Sequence, residues 1–135
     1  MENFVLDTSA IITLQTDEPG ADEVEAILRR VESGKARAFA SFMTFMEVLY
    51  CRWRADGKAA AHRAYLELTM LPIERVNLSE PLIFLAGEIK ATHSLSLGDS
   101  WIAATALEKQ ATLVHKDPEF EPLQDRLILK ALPYK

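Results

Sequence analysis

Cysteine is almost missing from this chain of 135 residues: Cys51 stands alone and has no internal partner. A fold stapled by disulfides is therefore excluded, and a reducing compartment fits. Within its apolar helical pattern Cys51 reads as a small core residue. Net positive charge is missing as well, since the formal charge is -5 and the pI is near 5.2. This excludes a protein that coats nucleic acid or anionic membrane through its net field, but leaves room for a local basic patch. No apolar run approaches the ~18 to 20 residues of a membrane span, and Met1-Glu2-Asn3 lacks the basic start of a secretion signal. Repeats, linkers and low-complexity stretches are absent. With 49% hydrophobic residues, the chain is expected to be one soluble, cytoplasmic domain over residues 1–135.

What is present is an alternation of short apolar runs with helical patterns. Phe4-Val5-Leu6 predicts a strand buried on both faces, running into Asp7-Thr8-Ser9, residue types that cap helices. Two helices follow, the second from about Gly20 to Glu32, with Val24, Ile27, Leu28 and Val31 at helical spacing. Arg37 to Ala40 predicts a second strand, and Ser41 a cap for the apolar helix Phe42 to Trp53. Arg54-Ala55-Asp56-Gly57 breaks that pattern, and a helix through Ala59 to Leu68 returns across the domain. Leu71 to Val76 predicts a third strand, and Ser79-Glu80-Pro81 starts a helix in which Glu80 and Glu88 face solvent. Leu95 to Leu107 is a further helix, with Ala103, Ala104 and Ala106 small enough for close packing. Ala111 to Lys116 predicts a fourth strand ending at Asp117-Pro118, and Leu127-Ile128-Leu129 an edge strand. Strands that alternate with helices predict an α/β domain with a mainly parallel sheet.

Four carboxylates stand out against this frame. Asp7 sits where a strand ends, at the edge where open α/β sheets bind ligands. Glu47 is the only charge in the first ten residues of its helix, and Met43, Tyr50 and Cys51 flank it at three- and four-residue offsets. An unpaired carboxylate buried there is costly unless an arginine, a raised pKa or a bound cation relieves it. Asp99 falls at a helix N-terminus, where the dipole is expected to lower its pKa. Asp117 is pushed toward extended geometry by Pro118. Taken singly, the three aspartates serve equally well as cap or turn residues. A separate feature is the basic turn of Arg52, Arg54, Lys58, His62 and Arg63, interleaved with Tyr50, Trp53 and Tyr65. It suits phosphate contact and base stacking, or equally a solvated surface whose aromatics face the core.

Val5-Leu6-Asp7-Thr8-Ser9, Phe45-Met46-Glu47-Val48-Leu49, Leu97-Gly98-Asp99-Ser100-Trp101-Ile102-Ala103-Ala104 and Leu113-Val114-His115-Lys116-Asp117-Pro118-Glu119-Phe120, in that order, resemble the PIN-domain nucleases. The chain looks especially like the VapC-type toxins, over nearly its full length. The resemblance implies a three-layer α/β/α fold in which Asp7, Glu47, Asp99 and Asp117 converge around magnesium or manganese and the protein cuts RNA. Thr8 or Ser9 would support that site through their hydroxyls. It also implies an antitoxin partner and a homodimer. One departure is His115, where many family members carry Thr or Ser; it affects the hydrogen bonding around Asp117.

The residue types make chemical sense of this resemblance. Four carboxylates in one pocket repel one another and take up protons unless a hard divalent cation compensates them. Such an ion supports in-line hydrolysis of a phosphodiester, with Asp7, Asp99 and Asp117 as ligands and Glu47 binding the ion or orienting water. A housekeeping RNA-processing nuclease would use the same site. A non-catalytic RNA- or protein-binding module would keep the fold alone. A phosphate-accepting regulatory domain also has an acidic pocket on an α/β sheet, but its aspartate pair, phosphoacceptor and lysine cannot be assembled from this sequence.

Overall fold

The computed structural model describes residues 1–134. Strands β1 (Glu2–Leu6), β2 (Ala36–Ser41), β3 (Glu74–Val76), β4 (Thr112–His115) and β5 (Leu129–Ala131) form one sheet in the order β3-β2-β1-β4-β5. Every neighbouring pair is parallel. Parallel neighbours need crossover connections, and helices supply them. Helices α1 (Thr8–Gln15) and α2 (Ala21–Glu32) link β1 to β2, and α3 (Phe42–Asp56) and α4 (Lys58–Met70) link β2 to β3. Helices α5 (Glu80–Thr92) and α6 (Leu97–Glu108) link β3 to β4, and a short 3-10 helix, Pro118–Leu123, precedes β5.

The two-residue period of the strands divides the interior into two cores. Phe4 and Leu6 of β1 and Ala36, Ala38 and Ala40 of β2 pack with residues of α1 to α4. Val5, Phe39 and Leu113 face the other way and pack with Leu82, Ile89 and Ile102 of α5 and α6. Hence Phe4-Val5-Leu6 is a continuous apolar run: both sheet faces are covered, giving three layers. Ala103, Ala104 and Ala106 are fully buried, which brings α6 close against the sheet. The strand order reverses between β1 and β4. Their carboxyl ends therefore flank the crevice of the fold, with Asp7 after one strand and Asp117 after the other.

Four local expectations are corrected. Helix α3 continues through Arg54 to Asp56, and the interruption is confined to Gly57, whose φ of +90° is readily reached by glycine. Strand β3 begins at Glu74, because its ladder with β2 runs only from Phe39↔Glu74 to Ser41↔Val76, while Leu71 and Ile73 merely pack against the core. The edge strand lies two residues later than predicted: Leu127 is a core residue, and Leu129–Ala131 pairs with β4. Cys51 is half-buried, because it lies toward the end of α3. Among the described residues no helix is long and apolar enough to cross a membrane.

Candidate metal centre

Asp7 both ends β1 and caps α1. Its N–H donates to the Val114 carbonyl at 2.9 Å, extending the β1–β4 ladder by one bond beyond the strand. Its Oδ2 accepts from the Ser9 N–H at 3.0 Å and also from the Ser9 hydroxyl. That hydroxyl accepts in turn from the Lys116 N–H at 2.9 Å, so Ser9 ties the corner after β1 to the corner after β4. The cap reading and the functional address thus apply to the same side chain. Asp7 Oδ1 differs from Oδ2: it is buried and has no hydrogen-bond partner.

Thr8 fixes the second carboxylate. Its hydroxyl donates to Glu47 Oε1 at 2.6 Å and lies 3.3 Å from the Thr44 hydroxyl one turn earlier on α3. The other side of the Glu47 carboxylate lies against Gly98. A Cβ on residue 98 would collide with Glu47 Oε2 and come within 3.3 Å of Glu47 Cδ. Gly98 is thus a close-approach glycine that joins the α6 N-terminus to α3, a role that the sequence analysis did not assign to it.

Asp99, Asp117 and Glu119 form the tightest group, with one ligand oxygen from each within 4.8 Å of the others. Asp99 stands in the first turn of α6, where its N–H donates to the capping Ser96 hydroxyl at 3.1 Å. Asp117 has extended geometry, as the following proline dictates, and its Oδ1 accepts from the Glu119 N–H at 2.9 Å. Glu119 reaches across to accept from the Ser96 N–H at 2.7 Å. Sequence reasoning passed over Glu119, although its placement two residues after Asp117, at the start of a helical turn, was a usable signal. His115 is buried, and its Nδ1 accepts from the Asp117 N–H at 3.2 Å. Its ring packs edge-on against Phe120, with centroids 5.3 Å apart.

The electrostatics show that all five carboxylates share one field. Burial pushes Asp7 up to about 6; the hydrogen bonds from Ser9 oppose this, and the charges of Glu47 and Asp117 add to it. Burial raises Glu47 as well, opposed by Thr8. Asp99 is pushed up to about 8, first by burial and then by Asp7, Glu119, Asp117 and Glu47. The expectation that the helix dipole lowers Asp99 is therefore wrong: a partial charge at one helix end is outweighed by desolvation and four nearby carboxylates.

This donor set fits a hard divalent cation. Every candidate ligand atom is a carboxylate oxygen, the ligand type of magnesium, manganese and calcium. The bare Oδ1 of Asp7 is a buried acceptor with nothing to accept from, which a cation would satisfy. Asp7 and Glu47 lie outside the tightest triad but within its field.

The basic turn is built differently. Arg52 donates to Gln15 Oε1 at 3.1 Å and pairs with Asp56 at 3.2 Å. Arg54 lies 5.3 Å from the Tyr50 ring centre, Lys58 6.0 Å from that of Trp53, and Arg63 is exposed. Tyr50 and Trp53 are exposed, whereas Tyr65 packs edge-on against Phe45. Only Tyr65 of the three aromatics therefore faces the core. Arg54 is seven residues beyond Glu47, two turns and about 10 Å along the helix axis, and both charges act on Tyr50 and Cys51 between them.

Comparison with known proteins agrees with this geometry. The VapBC2 structure from Rickettsia felis, bound to a DNA fragment from its promoter, matches with a TM-score of 0.75 at 18% identity, covering 97% of this chain and 99% of that one. VapBC-1 of nontypeable Haemophilus influenzae matches with a TM-score of 0.70 at 24% identity, covering 96% and 97%. VapC20 of Mycobacterium tuberculosis, a sarcin-ricin loop cleaving toxin, matches with a TM-score of 0.68 at 17% identity, covering 88% and 93%. No curated protein sequence matches the chain. These likenesses show the fold, and the family model of the PIN domain matches residues 4–125. The chain belongs to the PIN domain family.

Proposed function

We propose that this protein is a metal-dependent endoribonuclease of the VapC type, the toxin of a toxin–antitoxin pair. The observation that carries this reading is the convergence of Asp7, Glu47, Asp99, Asp117 and Glu119 on one crevice, with Asp7 and Asp99 driven toward protonation. Like-charged groups gathered at such cost are explained by a ligand of opposite charge. Magnesium or manganese is the ion proposed.

Asp99, Asp117, Glu119 and the free oxygen of Asp7 would hold the ion. When bound, it supplies charge neutralisation for the scissile phosphate and lowers the pKa of an attacking water. The protein's own part is positional. Ser9 fixes Asp7 through Oδ2, so that only Oδ1 is offered to the site. Thr8 holds Glu47 through Oε1 and leaves Oε2 at the α6 N-terminus, where it takes a proton from the water. Attack of that water would form a new P–O bond as the bond to the leaving oxygen breaks, and the leaving oxygen would take a proton from solvent, giving a phosphate monoester and a hydroxyl.

A toxin–antitoxin complex from Klebsiella pneumoniae and VapBC-5, a member of the VapBC family of toxin–antitoxin systems, share this fold, which supports an antitoxin as partner of this chain. A cationic antitoxin segment would complement the acidic crevice. A homodimer is part of the same proposal. The test is cleavage of a mixed panel of structured RNAs with magnesium, manganese or chelator, alongside Asp7→Asn purified identically. Metal-dependent cutting that the variant lacks is expected; equal cutting by both proteins refutes the site.

A further inference from the structure

A cleft of about 560 Å³ opens beside the carboxylates and shares two of their residues, Ser9 and Asp117. Its other walls are Ile12 and Thr13 of α1, Glu18, Lys116, Pro118 and Tyr134. We propose that this cleft holds the nucleobase next to the scissile phosphodiester, stacked on Tyr134 with Thr13 as a polar contact. The inference rests on the ribonuclease reading and names the part of the substrate bound beside the metal centre.

Three observations favour a neutral, planar occupant. Lys116 is the one cation among these lining residues; its side chain is 5% exposed, and Nζ lies 3.3 Å from Glu18 Oε1. A phosphate would find no unpaired positive charge in these walls, whereas a base needs none. Tyr134 is partly exposed, and its hydroxyl donates to Glu121 Oε2 at 2.9 Å, which fixes the ring in orientation. A fixed aromatic ring beside an apolar wall is the platform on which single-stranded bases stack. Thr13, finally, has a buried hydroxyl with no partner. The hydroxyls of Thr16, Thr92 and Thr105 bond the carbonyl four residues earlier; Thr13 does not. It lies in the cleft wall, where a side-chain rotation would present it to a base edge.

The test compares wild type with Thr13→Val, Tyr134→Ala and Tyr134→Phe, using the full chain. Cut sites are mapped on a random-sequence RNA pool with magnesium, and binding of short single-stranded RNAs is measured by anisotropy in chelator. Wild type is expected to favour particular bases at one position beside the cut. Thr13→Val should flatten that preference about 3- to 10-fold, the scale of one hydrogen bond. Tyr134→Ala should weaken binding and raise KM about 10-fold, and Tyr134→Phe, which keeps the ring but loses its tie to Glu121, should show a clearly smaller loss. If wild type binds RNA with the same Tyr134 dependence but never cuts, the ribonuclease reading fails while the cleft stands. The cleft proposal is overturned if base preference and RNA binding are unchanged in Thr13→Val and Tyr134→Ala. It is equally overturned if Tyr134→Ala alters only the affinity of a cationic antitoxin peptide, which would make the cleft a protein-docking site.

Discussion

The Glu47 carboxylate is packed against the backbone of Gly98, with no room between them for a methyl group. Thr8 holds the opposite oxygen at 2.6 Å, so the carboxylate can retreat from a Cβ at residue 98 only at the expense of that hydrogen bond. A small residue on α6 thus sets the position of an acid on α3.

Gly98→Ala should therefore displace the Glu47 carboxylate without unfolding the protein. Cleavage is expected to fall about 10- to 100-fold in kcat, since misplacement of a reacting group by ~1 Å has effects of that order. RNA binding in chelator should hardly change, and the melting temperature should stay near that of wild type. Full activity in this variant would remove Glu47 from the mechanism.

Asp7 gives the metal-free protein a defined pH dependence. Its folded-state pKa is raised from 3.8 to about 6, so the folded protein keeps a proton that the unfolded chain releases in that interval. The associated stability is fully present below the unfolded value and is lost as pH rises through the folded one. At its upper limit the effect is about 3 kcal/mol. In chelator, Asp7→Asn should melt above wild type, by a margin that widens between about pH 4 and about pH 6 and is level above about pH 7. Excess magnesium should narrow it, because the ion stabilises only the carboxylate form. A margin independent of pH would contradict the burial assigned to Asp7.

Glu119→Gln removes one charge from the tightest carboxylate group, while its amide oxygen can still accept from the Ser96 N–H. Divalent-ion affinity measured calorimetrically should fall about 10-fold, within the range seen when groups around a metal are altered. The Asp99 pKa should drop at the same time, since Glu119 is among the charges that raise it. Unaltered affinity would place the ion nearer Asp7 and Glu47.

The basic turn predicts a salt effect. Replacing Arg52 and Lys58 together by Gln should weaken RNA binding uniformly across sequences and reduce the slope of log affinity against log salt by about 1 to 2. Since Arg52 is already tied to Gln15 and Asp56, Lys58 should account for the larger share. Titrations at three salt concentrations that superimpose on wild type would assign the turn to an ordinary solvated surface.

The sequence by itself determined the α/β class and singled out four of the five carboxylates that share one field. Phe4-Val5-Leu6 is apolar at every position, and only a strand covered on both faces accommodates that, so the parallel α/β architecture follows locally. Asp7, Ser41 and Ser79 announce their helices because a cap needs only its own neighbours, whereas the cap of α6 is Ser96 and not Asp99. Strand ends were legible only to within a few residues, since β3 and β5 are bounded by pairing with a neighbour and not by their own residue types.

The tertiary structure alone decided what the carboxylates do to one another. Residues separated by dozens of positions meet because the strand order reverses between β1 and β4, a choice that no local pattern encodes. For that reason Asp99 is raised and not lowered, Glu119 joins the acidic group, and Gly98 meets the Glu47 carboxylate. Each depends on an approach across elements, and periodicity along a chain contains no information about distances between its distant parts.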